Sequence, residues 1–206
     1  MLTHCVIGVL VTTAVVTSQS AQLVGSIVDA SAIIRGVPGF GGADLFGGAC
    51  RDQQGNYWTC ARNNGSWFAF RIDASNQVNG VANINYTGLG AFSDMTFDAQ
   101  RQNVWIKVNN LVRVISATTG SVAFGGFALG GGGIAWDGAN RVYSAGSGTH
   151  YAADTFATAP NVGTYPPVVH KGLAYVPSTG KFWGGSDSPA DPAGITGDSF
   201  FEPCDG

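Results

Sequence analysis

Proton transfer at neutral pH falls most readily to histidine, whose ordinary pKa lies near about 6.5. The chain holds three, His4, His150 and His170, and only the last two lie beyond the apolar amino terminus. With Asp187 they form a candidate acid–base pair or a divalent-metal site. The remaining inventory argues against that chemistry. There are twelve Asp but a single Glu, Glu202, and no Ser/His/Asp or metal-ligand spacing. The plainer reading leaves His150 and His170 as loop side chains on a protein that does no catalysis and needs no cofactor.

Thiol chemistry is the second candidate. Cys50 and Cys60 flank the turn Arg51-Asp52-Gln53-Gln54-Gly55-Asn56, which places them on adjacent antiparallel strands and suggests a disulfide in an oxidising compartment. The competing reading is two buried, unbonded thiols. Cys204 is then left single or competes for one of them, and no Cys/His spacing points to zinc. The glycines of Gly125-Gly126-Phe127-Ala128-Leu129-Gly130-Gly131 lack the Lys-Ser/Thr ending of a phosphate loop, so they read as strand packing.

These residues sit on a repeated element. Cys50-Arg51-Asp52-Gln53-Gln54-Gly55-Asn56-Tyr57-Trp58 aligns with Phe97-Asp98-Ala99-Gln100-Arg101-Gln102-Asn103-Val104-Trp105. The same pattern returns in Trp136-Asp137-Gly138-Ala139-Asn140-Arg141-Val142-Tyr143 and in Tyr175-Val176-Pro177-Ser178-Thr179-Gly180-Lys181-Phe182-Trp183. A strand, an Asp/Gly/Asn turn and a return strand opened by an aromatic make a hairpin. Inner hairpins are expected near 46–60, 93–107, 133–145 and 172–185. The closing aromatics Trp58, Trp105, Tyr143 and Trp183 are 47, 38 and 40 residues apart, the length of a four-stranded blade. Trp67 to Asn76 and Leu111 to Gly120 read as third strands running into turns, and Phe200 to Gly206 ends like one. The expected fold is all-β, a β-propeller of about four four-stranded blades. Either it closes as a small ring, with Ile27 to Val37 completing the fourth blade, or it forms part of a larger one.

Composition agrees. Of 206 residues, 31 are Gly, while charged residues make up only 11%, and Lys and Leu number three and eight. Such a chain is short of helix formers but has 45% hydrophobic residues for a core. Its net charge of −3 and scattered Arg and Lys give no footprint for nucleic acid. Cys5 to Val16 is apolar or small throughout and is followed by Thr17-Ser18-Gln19-Ser20-Ala21. This is the layout of a signal peptide over residues 1–21, too short to span a bilayer. The repeats then occupy 22–206, and the expected location is secreted, periplasmic or cell surface.

The unit running from Asp94-Met95-Thr96-Phe97-Asp98 through Asn103-Val104-Trp105 to Leu111-Val112-Arg113-Val114-Ile115-Ser116 resembles a blade of the NHL, YncE and SMP-30-like propeller group. The resemblance covers about residues 23–206 and departs in blade number, since that group commonly has six or seven. It implies a propeller fold and a choice between two functions. One is a binding or scaffold module for a protein or glycan ligand. The other is an extracellular lyase or hydrolase of the streptogramin-lyase or lactonase type. Ligands of such folds meet the turns between second and third strands and the links between blades. Here that face would carry Arg62, Asn63, Asn109, His150, His170 and Asp187. If the leader is removed, mass spectrometry of the secreted chain will find an amino terminus at or next to Ala21.

Overall fold

The computed structural model describes residues 29–88, 93–127, 132–144, 149–160, 172–178, 181–185 and 199–201. Four antiparallel sheets follow one another in chain order, each a simple meander. The first contains β1 (Leu45–Arg51), β2 (Tyr57–Asn63), β3 (Ser66–Ile72) and β4 (Val78–Asn83). The second contains β5 (Ser93–Asp98), β6 (Asn103–Val108), β7 (Leu111–Ser116) and β8 (Val122–Phe127). The third contains β9 (Ile134–Trp136), β10 (Arg141–Ser144), β11 (Thr149–Ala152) and β12 (Thr158–Pro160). The fourth pairs β13 (Gly172–Val176), β14 (Lys181–Gly185) and β15 (Ser199–Phe201).

Turn chemistry sets the hairpins. In the β1–β2 turn, Asp52 accepts bonds from Asn56 N and Asn56 Nδ2, both at 2.9 Å, and from the Trp58 indole at 3.0 Å. Asp98 caps the β5–β6 turn through Gln100 N and Arg101 N, and Asp137 holds Ala139 N and Arg141 N in the β9–β10 turn. A short side-chain carboxylate that mimics a backbone turn is why Asp recurs there. Asp98 also engages Arg101 Nη1 at 3.1 Å, and the Trp105 indole nitrogen, unlike that of Trp58, is buried without an acceptor.

Alternation along the strands gives the first three sheets two apolar faces each, and the core is a series of layers between sheets. Trp58, Cys60, Trp67 and Ala69 of the first sheet meet Met95, Val104, Ile106 and Ile115 of the second. Trp105, Val112 and Val114 meet Ile134, Val142 and Tyr151 of the third. Ala135 and Tyr143 meet Leu173 and Phe182 of the fourth. The first strands pack in succession, β1 on β5, β5 on β9 and β9 on β13. Polar bonds between turns follow the same succession. Gln102 reaches Gln53 at 2.8 Å, and Arg101 reaches Asn140 Oδ1 at 2.7 Å and Ala139 O at 3.2 Å.

The amino-terminal expectation is corrected. Ala30–Arg35 is a helix, α1, not an outer strand that completes the fourth blade. Asp29 Oδ1 accepts from Ser31 N and Ala32 N, each at 3.1 Å, as an N-cap. The resemblance of Asp29-Ala30-Ser31 to Asp73-Ala74-Ser75 is real at the level of the cap, since Asp73 Oδ1 likewise accepts from Ser75 N at 2.8 Å. The residues after it decide the outcome. Asn76 adopts φ 61° and turns the chain into a hairpin, whereas Ala32-Ile33-Ile34-Arg35 continues as a helical turn. Ile34, with Phe40 and Ala43, then covers Ala61 and Phe70 on the face of the first sheet that points away from the second.

The predicted disulfide is also corrected. Cys50 and Cys60 do lie on adjacent strands, but Cys50 stands opposite Trp58 and Cys60 opposite Gly47. The β1–β2 turn sets Cys50 against Trp58, two residues before Cys60, so the thiols are diagonal neighbours on one face and are not bridged. Diagonal pairs stand about 7–8 Å apart, beyond disulfide reach. Burial raises the Cys50 thiol far above its ordinary range, and nearby Asp94 adds to that shift. Cys204 lies outside the described residues.

Gly48, at φ 57°, is where β1 approaches β5 most closely: a Cβ there would stand 2.8 Å from Met95 Cγ and 3.0 Å from Asp94 Cα. Gly65 has φ 79°, but a Cβ there meets nothing within 4 Å. Urea denaturation is therefore expected to show Gly65→Ala costing about 1 kcal/mol from backbone strain alone. Gly48→Ala should cost roughly 1–3 kcal/mol more, from overpacking between the sheets.

Candidate functional site

An edge strand leaves a row of unpaired N–H groups, and each first strand here is such an edge. The second sheet supplies the missing acceptors from side chains. Thr96 Oγ1 accepts from Trp136 N at 3.1 Å, and Asp94 Oδ2 accepts from Ile134 N at 2.9 Å and Leu173 N at 3.3 Å. Its other oxygen takes Met95 N at 2.9 Å. One carboxylate thus joins the first strands of three sheets. Gly133 permits this: a Cβ there would lie 2.4 Å from Leu173 N and 2.7 Å from Asp94 Oδ2.

Lys107 stands across the β5–β6 ladder from Asp94 and is fully buried. Its Nζ donates to Ser144 Oγ at 2.7 Å, tying the end of β6 to the end of β10. Enclosure raises the Asp94 pKa to about 6 despite the N–H donors and the Lys107 charge, which lower it. Burial lowers the Lys107 pKa to about 8, only partly offset by Asp94. Strongly shifted groups brought together in this way mark a candidate site. Sequence reasoning passed over it. Asp94 and Lys107 were two scattered charges, and only the knowledge that β5 and β6 pair in that register sets them face to face.

The residues expected on the binding face take different roles. Arg62 forms a two-pronged ion pair with Asp44, Nε to Oδ1 at 3.0 Å and Nη2 to Oδ2 at 2.5 Å, which holds the Asp44 carboxyl below its ordinary pKa. Asn63 is buried and donates to Gly39 O at 3.0 Å, while its Oδ1 has no partner. Both residues anchor the segment that follows α1. Asn109, at φ 52° in the β6–β7 turn, donates to Tyr86 Oη at 3.0 Å. His150 lies in β11 opposite Tyr143, with ring centroids 5.5 Å apart. His170 and Asp187 lie outside the described residues. Among the described residues, no group of three or more His, Cys, Asp or Glu side chains could hold a metal ion.

No protein-family model and no curated protein matches the chain. Among solved structures it is similar to the extracellular domain of BT4673 from B. thetaiotaomicron, assigned there in one case to a hybrid two component system and in another to a one component system. In both cases the TM-score is 0.52 at 16% identity, over 82% of this chain. The chain spans about a fifth of the length of those domains, 21%. The likeness is one of fold: predominantly β, built from successive antiparallel sheets. No helix among the described residues is long and apolar enough to cross a membrane.

The signs of the two pKa shifts can be tested. Asp94 is raised, so its contribution to stability is full below about 3.8 and is lost as pH rises through about 6. Lys107 is lowered, so its contribution is full above about 10.5 and is lost as pH falls through about 8. Between those limits both charges are carried at a cost. At pH 7 Lys107→Met, which removes the charge that lowers the Asp94 pKa, is expected to destabilise by up to about 3–5 kcal/mol. Asp94→Asn combined with Lys107→Met keeps an acceptor for Ile134 and Leu173, and is expected to recover most of that loss. Urea denaturation at pH 7 measures both.

Proposed function

We infer that the chain is an extracellular, propeller-type module that binds a protein or glycan ligand and performs no chemistry on it. The observation that carries this reading is the meeting of the second strands. Because Lys107 Nζ lies 2.7 Å from Ser144 Oγ, the ends of β6 and β10 converge, which brings the β6–β7 turn toward the end of β10. Asn109 stands in the β6–β7 turn, and His150 is the second residue of β11, opposite Tyr143 of β10. In a propeller such turns form a rim where several blades present polar groups to one ligand.

Three further features support the arrangement. Each sheet is a meander, the first strands pack in succession, and apolar layers fill the space between consecutive sheets. The solved structures it resembles are extracellular domains, which agrees with the leader-like amino terminus. Low charge at the rim favours neutral hydrogen-bonding ligands over nucleic acid.

Glycan-array screening of the full chain, with candidates then titrated calorimetrically, tests the reading. Asn109→Gly keeps the left-handed backbone and deletes the amide; His150→Phe keeps the ring against Tyr143 and deletes the nitrogens. Each is expected to weaken the bound glycan about tenfold, the value of one hydrogen bond, with the β circular-dichroism spectrum unchanged. Cleavage of the bound glycan, or binding indifferent to both substitutions, would contradict it.

A further inference from the structure

A cleft of about 140 Å³ opens between the first and second sheets. It lies toward the edge opposite Asn109, since the β7–β8 turn that borders it is one strand further along the meander. Trp58, Arg71, Gly80 and Val81 line one side, and Thr118, Thr119 and Gly120 line the other. We propose that this cleft is a second binding site, for a small molecule bearing a single carboxylate, with Arg71 as the anion-recognising group.

Arg71 is held in place before any ligand arrives. Its Nε donates to Asn79 Oδ1 at 2.7 Å, Nη2 to Asn79 O at 3.2 Å and Nη1 to Ala117 O at 3.0 Å, while the guanidinium lies 5.8 Å from the centroid of the Trp58 ring. Those bonds use three of the five N–H groups that a guanidinium carries. The remaining two, one on each terminal nitrogen, have no partner among the described residues. Donors held rigidly on a lined cleft meet a carboxylate with little further loss of side-chain freedom.

The lining selects within anions. One guanidinium, with no lysine among the lining residues, matches one negative charge better than the two of a phosphate. Thr118 and Thr119 are exposed and bring hydroxyls, and Val81, 43% exposed, offers an apolar wall. The volume is below the roughly 300–1,000 Å³ of sites for drug-sized ligands, which limits the occupant to a simple carboxylate or one acidic sugar ring. Asp52 does not compete for the cation, because its oxygens are committed to Asn56 and the Trp58 indole.

Ligand-observed NMR titration of the full chain with glucuronate, glucose, acetate and phosphate tests the assignment. Glucuronate is expected to bind at least about tenfold tighter than glucose, the difference expected for a charge-assisted contact. Acetate binding as tightly as glucuronate supports the carboxylate assignment and places the sugar ring outside the cleft; weaker acetate binding supports it and places the ring inside. Thr118→Trp, on an exposed turn, fills the cleft without removing the Arg71 bonds, and should lower glucuronate binding at least about tenfold at an unchanged melting temperature. Asn109→Gly should leave it unaltered, which separates this site from the rim. Equal binding of glucose and glucuronate, tighter binding of phosphate, no binding of any carboxylate, or full binding by Thr118→Trp would overturn the proposal.

Discussion

The constraint on which the arrangement of sheets depends is the fate of the N–H groups on the first strands. A meander satisfies its internal strands and leaves the first one half-paired, and in this chain those edges are turned toward one another. They approach too closely for water to serve every donor, and they do not pair as a continuous sheet. Side-chain oxygens from β5 bridge the gap instead. Asp94 serves β9 and β13 with one oxygen atom, and Thr96 serves β9. The close approach requires glycine at 48 and 133, where a Cβ would fall within 3.0 Å of backbone or side-chain atoms.

Away from that centre, arginine carries much of the junction between the first two sheets. Arg71 leans over Gly80 and bonds to Ala117 of the second sheet, and Arg113 leans over Gly125 and bonds back to Ile84 O at 2.9 Å. Each pairs across the ladder with the glycine it covers. The missing Cβ lets the guanidinium lie flat against the outer strand and reach the neighbouring sheet. Two long side chains in opposite directions therefore fix the angle between sheets more firmly than the apolar layer alone, because hydrogen bonds are directional and dispersion contacts are not.

Most of this layout could be read from the residues, for a physical reason. An Asp turn followed by an aromatic depends on neighbours a few positions away, so the β1–β2, β5–β6 and β9–β10 hairpins carry their signals locally. The third unit carries less of the repeat because it is short: β11 spans four residues and β12 three. The amino-terminal helix was missed because Asp29-Ala30-Ser31 caps a helix and a turn with the same bonds, leaving the decision to packing against Phe70 and Ala61. The cysteines do flank the turn, but its register sets Cys50 against Trp58 and not against Cys60, an offset of two residues that flanking positions alone do not reveal. Arg62 and Asn63 stood where the repeat places a rim, but their partners Asp44 and Gly39 belong to a segment outside it.

The buried pair Asp94 and Lys107 is not explained by stability alone. Apolar residues of similar volume at such positions are commonly neutral or stabilising. At position 94, however, an apolar side chain would strand the amides of Ile134 and Leu173, each at a desolvation cost of about 1–3 kcal/mol. The carboxylate is therefore set by the geometry of three edges meeting, and the ammonium by the carboxylate. Lys107 then needs an oxygen within reach and finds it in Ser144, which draws the end of β10 toward β6. A chain of necessity runs from unpaired backbone donors through one carboxylate and the buried ammonium across the ladder from it to the ends of β6 and β10. The junction between the ends of β6 and β10 owes its geometry to buried charge that apolar packing could not replace.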